Sequence, residues 1–428
     1  MTKQNTISAD RIITAVEPQE LGQLVLSSDA ALLRTPPRPK PLRQESYDEE
    51  FDFCTLFYDA FFMADCSHVR LVGPSLLNLK GHIENGSVRA LGQGADGRPE
   101  PVTFKLTSLQ KTDQLDVVFD KPLETAELEF DFGALGKHRV TVNENNNDIL
   151  AGHRVVFTMF KYEPLPWLVD WADFNVKYHG ADALLVYHNN SVHYSTAEIS
   201  EALAAVEGLK RIIVVHWPFK YGPGADGTGH WDSTFCQLGM FAQARARYLA
   251  KAKSVLNTDI DELVITEGHK SLFEMAEQST EGYVPFGGVA IAGEETVADA
   301  SEHRRHKDFT RRGDTPFGGA VGRKWVAVPH LCQPENQWVV HGVKGMVFTR
   351  HCQLRQRFVI LWASAPIGSP AQIVAGKTPV NSLSWKKLTP KLAGNSGFLS
   401  MCKNAQIIVQ NISVTCDCAD YRVSLLVN

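Results

Sequence analysis

Arg154-Val155-Val156-Phe157-Thr158-Met159-Phe160 is an apolar run of the length of a fully buried strand, and the segments after it set the grammar of the chain. Leu168, Trp171, Phe174 and Tyr178 recur at helical spacing until Gly180, and Ala183-Leu184-Leu185-Val186-Tyr187 reads as a second strand. Ser195 with Glu198 three residues on forms a capping box; Ile199, Leu203 and Val206 continue one helical stripe, which ends at Gly208. Arg211-Ile212-Ile213-Val214-Val215 is the third strand. A long amphipathic helix through Phe235, Leu238, Phe241 and Leu249 leads to a fourth, Ser254-Val255-Leu256. Strands alternating with helices predict an α/β domain built on a parallel sheet.

Ligands of open α/β sheets bind beyond the carboxyl ends of the strands, and Thr258-Asp259-Ile260-Asp261-Glu262-Leu263 begins two residues after the fourth one. Two carboxylates one residue apart on a turn can reach one hard cation, directly or through water. Manganese or magnesium held there by Asp259 and Asp261 would neutralise the phosphates of a leaving nucleoside diphosphate.

Working outward, Leu128, Phe130 and Phe132 alternate with Glu127, Glu129 and Asp131, and Val140 and Val142 follow, a period of two that predicts half-buried strands. Asn85-Gly86, between Gly81-His82-Ile83 and Val88-Arg89-Ala90, predicts a two-residue hairpin. The expected organisation is a leader with a proline-rich linker over residues 1–47, ending in Thr35-Pro36-Pro37-Arg38-Pro39-Lys40-Pro41; a small, sandwich-like antiparallel β domain over 48–147; the α/β domain over 148–360; and a C-terminal extension with strands over 361–428. A length of 428 residues accommodates two or three such cores.

Composition narrows the function classes. A hydrophobic share of 44% with 21% charged residues is ordinary for a globular chain, and a net charge of −5 without a dense basic face argues against a nucleic-acid partner. The basic stretch His303-Arg304-Arg305-His306-Lys307 with Arg311-Arg312 suits a small diphosphate equally well. No run approaches the roughly 20 apolar residues of a membrane span, and Met1-Thr2-Lys3-Gln4-Asn5-Thr6 lacks a signal-peptide core, so a cytoplasmic protein is expected, either free or peripheral at the inner membrane. The eight cysteines show no disulfide-scaffold spacing and read as free thiols; Cys416-x-Cys418 has no second pair to complete a zinc quartet.

Lys161-Tyr162-Glu163 with Trp167 and Tyr178-His179-Gly180-Ala181-Asp182, then Val186-Tyr187-His188-Asn189-Asn190-Ser191, then Thr258 to Leu263, together resemble in order the motifs of glycosyltransferases of the GT-A fold, in particular glycosyltransferase family 92 and related bacterial family-2-like enzymes. Phe286-Gly287-Gly288, Asp308-Phe309-Thr310-Arg311-Arg312, Lys324-Trp325-Val326 with Pro329, and His341 follow the same order, so the resemblance spans residues 154–357. It implies a Rossmann-like GT-A domain for a nucleotide-sugar donor, a UDP-sugar foremost, and transfer to a saccharide or glycolipid acceptor in bacterial surface-glycan synthesis. It also implies donor contacts at Lys161, Glu163, His188, Asn190, Asp259 and Lys324. Asp261 would be the direct metal ligand, Asp259 would lie nearer the ribose or a bound water, and His341 would be a third metal or diphosphate contact. The family carries an aspartate where this chain has His188, which leaves the identity of the donor base open.

Inverting transfer needs a base for the acceptor hydroxyl, and Gly293-Glu294-Glu295 offers Glu294 and Glu295, with Asp299, Asp308 and Asp314 as competitors. Gly222-Pro223-Gly224-Ala225-Asp226-Gly227-Thr228-Gly229 lacks the Gly-Lys-Ser/Thr ending of a P-loop and reads as a mobile loop near the site, flanked by Trp217 and Trp231. The β domain would serve acceptor binding or contacts between copies of the chain. Two rival readings are a sugar nucleotidyltransferase, which should carry a glycine-rich loop where this chain has Lys161-Tyr162-Glu163-Pro164, and a non-catalytic carbohydrate-binding protein, which would not need Asp259-x-Asp261.

Overall fold

A computed structural model describes residues 21–346 apart from 65, 67, 92–98, 120–126, 225–231, 233, 288, 294–304, 307–308 and 314–322, together with the strands at 14–16, 358–363, 385–387, 413–417 and 422–426. It is a mixed α/β protein with several sheets and few helices.

The central sheet holds β1 (Arg154–Phe160), β2 (Ala183–His188), β3 (Arg211–His216), β4 (Ser254–Asn257), β5 (Tyr283–Phe286) and β6 (Lys324–Ala327). Its order is β3-β2-β1-β4-β6-β5, with Thr14–Val16 added in parallel outside β3. Strands β3, β2, β1 and β4 run parallel, whereas β6 is antiparallel to both β4 and β5. The strands read as continuous apolar runs because both faces are covered. Val156, Leu184, Val186, Ile212, Val214 and Leu256 share one core with α1 (Leu165–Phe174), α2 (Thr196–Ala204) and α4 (Leu272–Gln278). Val155, Phe157, Leu185, Tyr187, Ile213, Val215 and Val255 face the other core, with α3 (Phe235–Gln243).

Helix α2 starts at the expected capping box, Ser195 Oγ accepting from the Glu198 N–H and the Glu198 carboxylate accepting in return from Ser195 N–H. After α1 and α3 the chain continues in wider π-helical turns, Asn175–His179 and Ala244–Leu249, and the first of these ends at Gly180 with a φ of 73°.

Residues 59–141 form a second sheet of seven antiparallel strands, in which the long strand Glu100–Leu109 is shared by two halves that enclose one core. The expected hairpin at Asn85-Gly86 is not there. Lys80–Glu84 is a helical turn instead, because Leu76, Leu79 and Ile83 fall at helical spacing and are all buried. Gly86 has another reason to be glycine, since a Cβ there would stand 2.6 Å from Phe132 Cδ1 and 2.9 Å from the Asp131 carbonyl oxygen. Part of the stretch read as leader and linker is packed into the fold: Leu24 and Leu26 join the antiparallel core, and Arg34 and Arg38 are buried.

A buried ion pair ties the two sheets together. Asp59, on the edge strand Asp59–Phe62, meets Arg247 at 2.7 Å, and neither side chain is exposed. Asp59 also accepts from Gln243 Nε2, Asn143 Nδ2, and the N–H groups of Gly22 and Ala60, while Arg247 Nε donates to the Glu144 carbonyl and Asn146 Oδ1. Beside it Tyr58 packs onto α3 where Gly239 leaves room, a Cβ there falling 2.3 Å from the Tyr58 ring.

A third sheet grows from the acidic turn itself. Glu262–Thr266 pairs with Phe358–Ala363, and Val289–Gly293, Phe309–Gly313 and Trp385–Lys387 complete it. The boundary expected at residue 360 therefore falls inside a paired strand, a partnership about a hundred residues long in sequence that local composition does not mark.

Candidate functional site

The chain leaves β1 toward β2 and β3 on one side and returns to add β4 on the other, so the sheet reverses direction between β1 and β4. Such a switch point opens a crevice beyond the carboxyl ends of the two strands. Lys161 to Glu163 follow β1 and Asp259 to Asp261 follow β4, so the two loops flank that crevice. Glu277, on α4, closes the opposite ends of the same two strands: its carboxylate accepts from Arg154 at 2.9 and 2.7 Å and from Ser254 Oγ at 2.7 Å, with Lys253 at 3.0 Å.

The acidic turn is built by its own backbone and by three distant side chains. Glu262 N–H donates to the Asp259 carbonyl, and the Glu262 carboxylate accepts from Asp259 N–H at 2.9 Å. Trp171 Nε1 donates to Thr258 Oγ1 at 3.1 Å, and His306 Nε2 donates to the Ile260 carbonyl at 2.7 Å. Arg305, next to His306, grips Asp170 on α1 through both carboxylate oxygens. From the antiparallel neighbour β6 comes Lys324, whose ammonium lies 2.7 Å from Asp259 and 3.6 Å from Glu262. Its side chain is only 3% exposed, whereas that of Asp259 is 42% exposed.

The electrostatics follow from this enclosure. Burial alone would depress the Lys324 ammonium, but Asp259, Glu262 and Asp261 outweigh it and hold it above the ordinary lysine range. Burial pushes the Glu262 carboxyl up; Lys324 opposes this, and the charges of Asp259 and Asp261 add to it. Across the crevice burial raises Glu163 to about 7, against backbone hydrogen bonds that favour its charge, and the Asp259 charge raises it further. Glu163 Oε2 accepts from Lys161 N–H at 2.7 Å, and the Glu163 carbonyl accepts from Tyr194 Oη. Tyr162 between them holds a left-handed φ of 68°, with its ring half exposed and the Lys161 ammonium 4.9 Å from the ring centre. Left-handed backbone at a bulky residue costs of order 1–3 kcal/mol and gathers at functional loops.

His188 is the last residue of β2, 4% exposed, and its Nε2 accepts from Ser191 N–H in the following loop at 3.1 Å. Burial, then the neighbouring His216, holds it below the ordinary histidine range, so the ring is neutral with its proton on Nδ1. Asn190, also left-handed with a φ of 54°, ties the loops after β2 and β3 together by donating to the Pro218 carbonyl and accepting from His216 Nε2. Trp217, read as a stacking candidate, is fully buried against Tyr58 and Phe219. Trp231, Glu294, Glu295, Asp299, Asp308 and Asp314 lie outside the described residues.

Among the described residues no three His, Cys, Asp or Glu side chains stand together closely enough to hold a metal ion. The donor chemistry nevertheless suits a hard cation. Asp259 is open to solvent and Asp261 is half-buried one residue on. His341 Nδ1 donates to the Arg323 carbonyl at 3.0 Å, a carbonyl contact of the kind that orients metal-ligating histidines. The structure places His341 near β4 and β6: Arg323 precedes Lys324, and the carbonyl of Val340 accepts from Asn257 at the end of β4.

Sequence reading singled out Asp259, Asp261 and Lys324 but gave Glu262, His306 and Trp171 no part in holding the turn. Their partners are 46 to 87 residues away in sequence for His306 and Trp171, so only the fold brings them to the turn. An open hollow of about 330 Å³ on the antiparallel sheet, lined by Asn78, His82, Asn85 and Phe132, includes no residue of the turn. No helix among the described residues is long and apolar enough to cross a membrane. No protein-family model matches the chain, and neither does any curated protein.

Proposed function

We propose that this chain is a metal-dependent glycosyltransferase of the GT-A type, moving a sugar from a nucleotide-sugar donor, a UDP-sugar foremost, to a saccharide or glycolipid acceptor. The observation that carries the reading is the acidic turn Asp259-Ile260-Asp261 at the carboxyl end of β4, beside the switch point of the parallel sheet, with Lys324 delivered to it by an antiparallel strand. A sheet of this order with glycine-poor loops after β1 and β2 supports sugar transfer over nucleotidyl transfer, since the Lys161-Tyr162-Glu163-Pro164 loop lacks the glycines that a basic phosphate-cradling loop uses.

A manganese or magnesium ion bound by Asp259 and Asp261, with His341 as a metal or diphosphate contact, would supply positive charge to the diphosphate as it leaves, when negative charge builds on it. The chain's own residues prepare the place. The bond from Asp259 N–H to the buried Glu262 carboxylate sets the turn, His306 holds Ile260, and Trp171 holds Thr258 just before it. Lys324 adds a cation whose position is set by a strand rather than a loop. Glu163 and Lys161 on the opposite rim would face the donor, and Glu294 or Glu295 would take the acceptor proton.

The test is turnover of a labelled nucleotide sugar with and without manganese, for the unmodified chain and for Asp261→Asn. Asparagine keeps the volume and removes the charge, so transfer and its metal dependence should vanish with the melting curve unmoved. Full activity of Asp261→Asn in metal-free buffer, with the unmodified chain equally indifferent to chelator, would sink the reading.

A further inference from the structure

The ammonium of Lys324 sits on the same carboxylate that a divalent cation would use. It touches Asp259 at 2.7 Å, has a second carboxylate, Glu262, within 3.6 Å, and is 3% exposed. A buried ammonium cannot leave one carboxylate for water without losing its compensation, but it can pass to another carboxylate within the same enclosure. Glu262 is placed for that: it is itself buried, fixed by accepting Asp259 N–H at 2.9 Å, and less than 1 Å farther from Nζ than its present partner.

We propose that Lys324 is a built-in competitor for the cation site, holding Asp259 and shifting to Glu262 when a divalent ion takes Asp259. Glu262 is then a positioning residue that receives the lysine and never touches the ion. The inference rests on the metal reading of the acidic turn and adds a mechanism that this reading does not require. Its consequence is that metal affinity is set against an internal cation: it falls when Glu262 can no longer receive the lysine, and rises when the lysine is removed.

The experiment is titration of manganese alone, without donor, into the full-length chain, read by electron paramagnetic resonance of the free ion. Glu262→Gln keeps the shape and the acceptor for Asp259 N–H but removes the charge that receives Lys324, so manganese should bind about 10-fold to 100-fold more weakly, the range typical of lost outer-shell partners. Because Lys324→Met alone would strand a buried carboxylate and could unfold, the decisive variant is Lys324→Met with Glu262→Gln. It removes one charge of each sign, leaving the local net charge unchanged, and should bind manganese at least about 10-fold more tightly than the unmodified chain. Equal affinities for the unmodified chain and both variants would overturn the competition while leaving the metal site standing. Binding by the double variant where the unmodified chain binds none would support it most strongly. No binding by any of the three would overturn both this inference and the metal reading.

Discussion

Replacing Asp59 with alanine should separate the two halves of the protein. The carboxylate is fully buried, meets the equally buried Arg247 at 2.7 Å, and accepts from four further donors: Gln243 Nε2, Asn143 Nδ2, and the N–H groups of Gly22 and Ala60. Removing one partner of such a pair leaves an uncompensated charge and costs about 3–5 kcal/mol. Each stranded donor adds up to about 1–3 kcal/mol where water cannot reach it, though these terms overlap and do not sum. Against a total stability of about 5–15 kcal/mol, the loss is large enough to uncouple one half. The assay is urea unfolding followed by circular dichroism and by tryptophan fluorescence together. All eight tryptophans lie at or after Trp167, so none belongs to the antiparallel sheet of residues 59–141 and fluorescence follows the rest of the chain. In the unmodified chain the two transitions should coincide; in Asp59→Ala they should part, or both should fall by at least about 3 kcal/mol. Asp59→Ala with Arg247→Met should recover part of the loss, because the stranded charge is gone. Single effects that simply add within about 0.5 kcal/mol, or a loss below about 1 kcal/mol for Asp59→Ala, would refute the account.

Glu277 is subject to burial, which would raise its pKa, but the hydrogen bonds from Arg154, Ser254 and Lys253 prevail and hold it down to about 2. The stability it contributes is therefore present above the ordinary glutamate value near 4.5 and is lost as pH falls from there through about 2, so Glu277→Gln should flatten the acid limb of a stability-versus-pH curve in that window. Gly239→Ala forces a methyl to within 2.3 Å of the Tyr58 ring and should cost about 1–3 kcal/mol in urea unfolding; an unchanged midpoint would mean that Tyr58 moves aside freely. His341→Ala should raise the manganese concentration that half-saturates activity without moving the melting temperature, and an identical titration would remove His341 from the site.

How legible each part was depends on where its partners lie. Strands β1 to β4 announce themselves because both faces are buried, and that leaves no alternation of apolar and polar residues to confuse the run. The capping box at Ser195 and Glu198 is local, three residues wide, and was equally plain. Asn85-Gly86 misled because a glycine required by the approach of Phe132 carries the same letters as a glycine required by a hairpin. At the site, Asp259 and Asp261 were visible from their place after a strand. The burial of Glu262 and its shared lysine were not, since they arise only when β6 pairs with β4, and nothing near Glu262 in sequence foretells that pairing.

The late arrival of that lysine has a consequence for biosynthesis. Glu262 leaves the ribosome 62 positions before Lys324 (324 − 262), and at about 5–20 residues per second the interval is about 3–12 s. During it the nascent chain holds Asp259, Asp261 and Glu262 without the ammonium that compensates them, and β5 has been made but has no neighbour, because it joins the sheet only through β6. The parallel strands can already pair, yet the edge of β4 stays open and the acidic turn stays hydrated until residue 324 emerges. A stall or a premature stop in that window would leave an exposed strand edge beside three uncompensated carboxylates, in a species that still lacks β6, its lysine and the strand Phe358–Ala363 that pairs with Glu262–Thr266.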